Sequence, residues 1–326
     1  MKRISTVPEG YKKTLKFIIK LTFTSLFIVY ILRKVNIDGI VENLKLILPF
    51  YLFTSFALYL FSIFILSIKW WVLIPKFNLK NIILLTFVSI YFSMLIPGQI
   101  AGDGIKAYKL GKGKKNALHI GRSVIIDKIL GFIVIIVLSL LGLACTEYDL
   151  PSALWIGFTA VFVFLLALML FFLLFKNSIK GITVKLLNFI KNRFGFLSGI
   201  LTKVLGMFES ESEALNIKHL LYNILWGFVY QTVSVGLIMI IANGVNVSLS
   251  MLDWFWITGV LSLIILLPVT IGGIGLREGS LIQVFSYLKI APEKALTISL
   301  VGFSFQIIVA LIGALINMKT RDKGNN

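Results

Sequence analysis

The sequence predicts an all-α polytopic membrane protein, with about six spanning helices plus two re-entrant helical hairpins arranged as an inverted-topology repeat. Three observations lead there. The 326 residues are 58% hydrophobic and only 14% charged, with a mean hydropathy of +0.96, whereas a soluble domain carries about 25% charged residues. The apolar residues gather into segments at roughly 14–32, 46–68, 82–97, 123–145, 153–175, 219–241, 254–270, 276–290 and 295–317. The basic excess, 32 Lys and Arg against 14 Asp and Glu, falls between those segments. That placement speaks for a membrane and against nucleic acid.

The first segment follows Met1, Lys2, Arg3, Lys12 and Lys13 as the core of a signal sequence would. It runs into Ile31, Leu32, Arg33 and Lys34 without a small-residue cleavage site, so an uncleaved signal anchor is expected. A span needs about 20 residues to cross ~30 Å of hydrocarbon. Six segments meet that length comfortably. Those at 82–97, 254–270 and 276–290 are short, and they abut two Pro/Gly-rich clusters, at 97–104 and 268–279.

The positive-inside rule decides between topologies. Connectors 106–122 and 176–218 hold the densest Lys and Arg and should be cytoplasmic. Loops 146–152 and 242–253 hold none, contain Glu147, Asp149 and Asp253, and should face outward. If 82–97 were a simple span, Lys69, Lys76 and Lys80 would sit opposite the 106–122 connector. The conflict disappears if 82–105 enters from the cytoplasm, breaks at Pro97 and Gly98, and returns. A second hairpin over 254–290, entering from outside, then places Lys319, Arg321 and Lys323 inside as well. Residues 1–326 thus read as a single integral membrane domain with half-repeats of about 1–150 and 151–326, in the cell (cytoplasmic) membrane with both termini cytoplasmic. Within the connector 176–218, alternation of apolar and basic residues suits a helix lying in the interface; a solvated basic loop is the alternative.

Residue counts remove several chemistries. Cys145 is the only cysteine and His119 and His219 the only histidines. Neither a disulfide, a Cys or His metal centre nor a Ser-His-Asp triad is therefore expected, and no cofactor. Ionisable residues at membrane depth cost on the order of 2.5–3.5 kcal/mol each, which singles out Asp103, Lys106, Asp127, Lys128, Arg277 and Glu278. Non-helical backbone at that depth is tolerated only where protein or a wet cavity surrounds it. Both Gly-rich breaks should therefore line one polar cavity. Arg277 and Lys106, with backbone N–H groups around Gly102, Gly272 and Gly273, would hold an anion such as phosphate, and Asp103 and Glu278 would either orient those cations or meet a cationic headgroup. Structural roles compete with this. Asp103 and Lys106 have the spacing of a stabilising i,i+3 pair, or Asp103 caps its helix. Arg277 and Glu278 equally suit an internal ion pair that locks the second hairpin, while Asp127 and Lys128 lie one turn into their helix, where Lys can snorkel. Trp70, Trp71 and Trp254, near span ends, read as interface anchors.

Two segments carry a family resemblance. The run Pro97, Gly98, Gln99, Ile100, Ala101, Gly102, Asp103, Gly104, Ile105, Lys106, Ala107, Tyr108 resembles the first signature of the lysylphosphatidylglycerol synthase transmembrane region, also called the flippase-like domain family. The run from Ile271 through Gly272, Gly273, Ile274, Gly275, Leu276, Arg277 and Glu278 to Gly279 resembles its second signature, and Ser123 to Gly131 is similar to the weaker segment between. Lys106 and Lys128 stand where the family pattern leads one to expect Arg, offering a point charge in place of a bidentate fork. The resemblance implies translocation of a lipid such as aminoacyl-phosphatidylglycerol or a polyprenyl-phosphate-linked lipid. It also implies a separately encoded transferase as a possible partner. Only nine residues follow Asn317, so a stand-alone membrane domain is expected and the transferase activity of fused members is not carried over. The expected ligand is an anionic or zwitterionic membrane lipid. A membrane subunit of a lipid-modifying transferase and a small-solute secondary transporter are the rival expectations. No nucleotide-binding motif accompanies them.

Overall fold

The side chain of Asn36 accepts a hydrogen bond from the Asp38 amide at 3.0 Å and so opens the first helix of the described fold. The structure is a computed structural model, and it describes residues 35–95, 100–112, 117–174, 216–265 and 275–322, with single positions at 22 and 25. The expected signal anchor, the interfacial connector and the Gly-rich breaks at 96–99 and 266–274 lie outside the described residues, Gly272 and Gly273 among them.

Every described helix is α, and no strand occurs among the described residues. The helices are α1 (Ile37–Leu46), α2 (Pro49–Trp71), α3 (Leu79–Leu95), α4 (Ile100–Gly111), α5 (Ala117–Cys145), α6 (Ser152–Leu174), α7 (Ile217–Gly244), α8 (Met251–Ile265), α9 (Leu276–Tyr287) and α10 (Pro292–Asp322). Four of them, α2, α5, α7 and α10, are long and apolar enough to cross a membrane. This is a multi-pass membrane protein. The helices of 12 residues, α4 and α9, rise only about 18 Å each, well short of the hydrocarbon thickness.

Helix α1 departs from the sequence reading, which leaves 33–45 as a connection. Ile37, Val41 and Leu44 recur at helical spacing, Asp38 lies in the first turn and Lys45 in the last. None of its residues is buried and those three apolar side chains are exposed. Such a face suits the membrane interface.

The core centres on α8, where every residue from Asp253 to Gly259 is buried. Trp254, Trp256 and Ile257 join Ile136 of α5, Val235 of α7, Phe285 of α9 and Val301 of α10 in one apolar cluster. Trp254 is therefore no interface anchor: it lies 1% exposed, its ring 6.0 Å from that of Phe285. Trp70 is likewise fully buried, with Nε1 donating to Ser123 Oγ at 3.0 Å. Trp71 is half-buried and donates to the Phe77 carbonyl. Nearness to a span end sets depth along the bilayer normal, but only the neighbouring helices decide whether a ring meets lipid or protein.

Several helix contacts are closed by glycine. A Cβ at Gly142 of α5 would overlap the Leu252 carbonyl at α8, and one at Gly313 of α10 would overlap the Phe87 carbonyl of α3. Only glycine lets these backbones meet. Gly142→Ala is expected to cost about 1–3 kcal/mol through overpacking. Gly302→Ala, where the added methyl meets nothing within 4 Å, should be neutral or gain up to about 1 kcal/mol of helix propensity. Thermal melts of the purified variants check the difference.

Contacts between helix ends order the bundle. At one end, Thr146 after α5 donates to Asp253 at the start of α8 at 2.6 Å, and the Tyr287 hydroxyl at the end of α9 donates to the Asp149 carbonyl. Lys294 in the first turn of α10 donates to the Asn246 carbonyl just after α7. At the other end, Trp70 of α2 meets Ser123 of α5, and Lys109 of α4 donates to Asn317 near the end of α10. Thus α8 starts and α9 finishes at the same end, while α4 finishes at the opposite one.

Candidate functional site

Asp103 occupies the first turn of α4, where its carboxylate suits the positive end of the helix. The i,i+3 spacing sets Lys106 on the same face, and its Nζ lies 2.8 Å from Asp103 Oδ1. The ammonium also stands 4.6 Å above the Trp70 ring, a second favourable contact for a buried cation. The other oxygen, Oδ2, takes Lys128 of α5 at 2.6 Å. Asp103 thus holds two cations. Gly102 before it is buried against α3, where a Cβ would overlap the Ser89 carbonyl, so its visible role is to let α4 fold back closely.

A second cluster lies one residue away on α5. Lys69 Nζ donates to Asp127 Oδ1 at 2.6 Å and to the Asp127 carbonyl at 2.9 Å. Asn223 of α7 donates through Nδ2 to Asp127 Oδ1 at 2.9 Å and to the Lys69 carbonyl at 2.6 Å. The two charged side chains are only 4% and 5% exposed. Helices α2, α5 and α7 are pinned at a single point.

The third cluster opens α9. Gly275 has φ 86°, a left-handed conformation that favours glycine, and its amide donates to Glu278 Oε2 at 2.7 Å. Glu278 Oε1 accepts from Arg277 Nη2 at 2.7 Å and from Nε at 3.0 Å. Ser299 of α10 completes the set: its Oγ accepts from Arg277 Nε and donates to Glu278 Oε1, both at 2.9 Å. Arg277 Nη1 makes no hydrogen bond among the described residues, and the guanidinium carbon lies 5.2 Å from the Phe303 ring centroid.

One cavity of about 370 Å³ connects these clusters, a volume within the usual range of small-molecule sites. Lys69 from α2, Asp127 and Lys128 from α5 and Arg277 from α9 line it. Tyr230, Gln231, Ser234, Thr258 and Ser262 add polar groups to a wall that is otherwise apolar. The structure therefore brings Lys128 and Arg277 to one space across the two halves of the chain. Asp103, Lys106 and Glu278 stand behind it, each bonded to a cation or carboxylate of its own cluster.

These elements are those of the two signatures, and the whole-chain comparison agrees. Residues 17–313 match the family model described as the lysylphosphatidylglycerol synthase TM region. The chain belongs to this family. No curated protein and no solved structure matches it significantly. Family membership supports a lipid-related role in the membrane, and of the residues in the resembling segments Asp127, Lys128, Gly131 and Arg277 line the cavity.

Lys69, Asn223 and Ser299 are not among the site residues that the sequence singles out. Lys69 looks there like a loop cation at a span end. Asn223 had a usable signal: Asn223, Gly227, Gln231 and Ser234 form a polar stripe at helical spacing along an apolar span. Ser299 had none, because a serine in a spanning helix usually bonds its own backbone.

Proposed function

We propose that this protein is a flippase-like lipid translocase that binds a charged-headgroup lipid and moves it across the cell membrane without chemical change. The observation that carries the reading is the shared cavity, in which Lys69, Lys128 and Arg277 come from different helices of both halves. In this reading the headgroup phosphate binds to Lys128 and Arg277 on the cavity wall, with Arg277 supplying a planar fork and Lys128 a point charge. The apolar walls suit the glycerol portion of a lipid, whose acyl chains stay in the bilayer. Aminoacyl-phosphatidylglycerol and polyprenyl-phosphate-linked lipids both present such a headgroup.

Movement in this reading comes from alternating access between two inverted halves. The helix pairs α3–α4 and α8–α9 are the re-entrant hairpins. Exchange of α2 with α7, α3 with α8, α4 with α9 and α5 with α10 supports it, because the contact of α5 on α8 then becomes that of α10 on α3. The same exchange relates Gly142 to Gly313. It also relates the Asp103–Lys128 pair to the Glu278–Ser299 pair.

Two measurements test this. Purified protein in phosphatidylglycerol-containing vesicles should move an acyl-labelled fluorescent phosphatidylglycerol to the quencher-accessible leaflet faster than protein-free vesicles. Equal rates would sink the translocase. In a Cys145→Ser background, Lys112→Cys should label with an impermeant thiol reagent from the cytoplasmic side and Asp149→Cys from the outer side. The same assignment puts residue 191 inside and residue 246 outside. Labelling of both from one side would remove the re-entrant topology.

A further inference from the structure

We propose that Asp127 is a proton-binding site that Lys69 links to headgroup binding, so that one proton enters the cavity with each anionic headgroup. The inference rests on the reading of the cavity as a phosphate-headgroup site and names how that site is coupled.

Three observations carry it. First, Lys69 and Asp127 are almost fully buried, yet both line the cavity. Apolar residues of similar volume would hold three helices together at least as well. Second, the wall beside Lys69 is glycine on two sides: a Cβ at Gly131 would lie 3.4 Å from its Nζ, and one at Gly227 3.4 Å from its Cε. Both glycines line the cavity, which leaves an anion a path to the ammonium. Third, the three carboxylates differ in what remains when a ligand draws away one cation. Asp103 keeps Lys106 when Lys128 turns. Glu278 keeps the Gly275 amide and the Ser299 hydroxyl. Asp127 keeps a single neutral side-chain donor, Asn223.

The charged groups around Asp127 set the consequence. From α2 it faces Lys69, from α4 Lys106, which is held by Asp103, and from its own helix Lys128, also held by Asp103. From α7 come Asn223 and Tyr230, with Lys218 and His219 nearer that helix's start; Arg277 of α9 faces it across the cavity. Packed against α5 as well, α6 has no ionisable side chain, and the one on α8, Asp253, is bonded to Thr146 at the far end. When the headgroup oxygen takes Lys69 Nζ, the remaining described cations beside Asp127, Lys106 and Lys128, are both held by Asp103. A carboxylate unpaired in a low-dielectric interior binds a proton rather than keep its charge. The proton comes from bulk water through the cavity. One negative charge and one proton enter together, so loading leaves the net charge of the site unchanged.

Calorimetry tests this on the full chain in detergent at pH 7. Dihexanoyl-phosphatidylglycerol and, separately, dimethyl phosphate, a diester that does not itself titrate near neutral pH, are titrated in buffers of different ionisation enthalpy. The expected slope of observed against buffer enthalpy is about one proton taken up per lipid bound. The same slope with dimethyl phosphate would make the phosphate group sufficient, and a slope with lipid alone would make the glycerol portion necessary. In Lys69→Gln/Asp127→Asn, which keeps the hydrogen-bonding outline, residual binding should show no slope. In vesicles, translocation of fluorescent phosphatidylglycerol should respond several-fold to an imposed pH difference and not to a potassium-diffusion potential. Binding with zero slope in the native chain overturns the proton site even if translocation is observed. Binding with a slope of one but no translocation overturns the flippase reading and leaves the proton site standing. Absence of binding by both probes overturns both.

Discussion

Arg277→Ala is expected to weaken headgroup binding at least tenfold and to lower stability by about 1–3 kcal/mol. The binding loss follows from geometry. Among the described residues, Arg277 is the one guanidinium on the cavity wall, and its Nη1 has no hydrogen-bond partner there. The stability loss is bounded because Glu278 keeps the Gly275 amide and Ser299. Arg277→Lys should separate the two roles. It retains the charge beside Glu278, so stability stays close to that of the native chain, yet a point charge cannot grip two phosphate oxygens in plane. Translocation in vesicles and thermal melts, measured on the same preparations, give both readouts. If Arg277→Ala translocates at the native rate and only melts earlier, Arg277 is a strut for the second hairpin. Full translocation by Arg277→Lys would remove the bidentate grip but keep the site.

Lys69→Met should be the most destabilising single substitution in the cavity, costing about 3–5 kcal/mol, because it leaves a buried carboxylate with only an amide for company. Asp127 is 5% exposed and lines the cavity. Adding Asp127→Leu to Lys69→Met removes the stranded charge and should recover most of that loss, since buried ion pairs replaced as a pair are often neutral or stabilising. Melts of the two singles and the double form a cycle whose interaction energy reports the pair. A Lys69→Met chain as stable as the native one would mean that Asp127 does not depend on Lys69. A double variant that is stable but inert in translocation would place the pair in function rather than in folding.

The sequence alone determined the membrane class, because composition and the spacing of apolar runs are properties a chain cannot hide: about twenty consecutive apolar residues have few other places to go. It also located the helices. The apolar segments at 46–68, 123–145, 219–241 and 295–317 correspond to α2, α5, α7 and α10, and the short ones to α3, α8 and α9. Punctuation by Pro and Gly marked where α3 and α4 part, since backbone that cannot stay helical must be accommodated by its neighbours. The charged residues of both signatures were legible for the same reason: a charge in an apolar stretch is expensive and therefore conspicuous.

What only the tertiary structure decided is which charges meet. Asp103 was legible as a partner for Lys106 three residues on, because helical spacing is local. Its bond to Lys128, and that of Lys69 to Asp127, cross 25 and 58 positions and depend on how α2, α4 and α5 pack. Helix periodicity fixes the side of a helix on which a residue lies but not what faces that side. For that reason the sequence places Lys69 in a connector and reads Trp254 as an interface anchor, although both are buried. The amphipathic α1 was missed because ten residues are too few to register as a span, while its exposed apolar face needs the bilayer surface and not a core. The cavity itself is a property of packing: it exists because α2, α5, α7, α8 and α9 meet there, and no one helix encodes the space left between them.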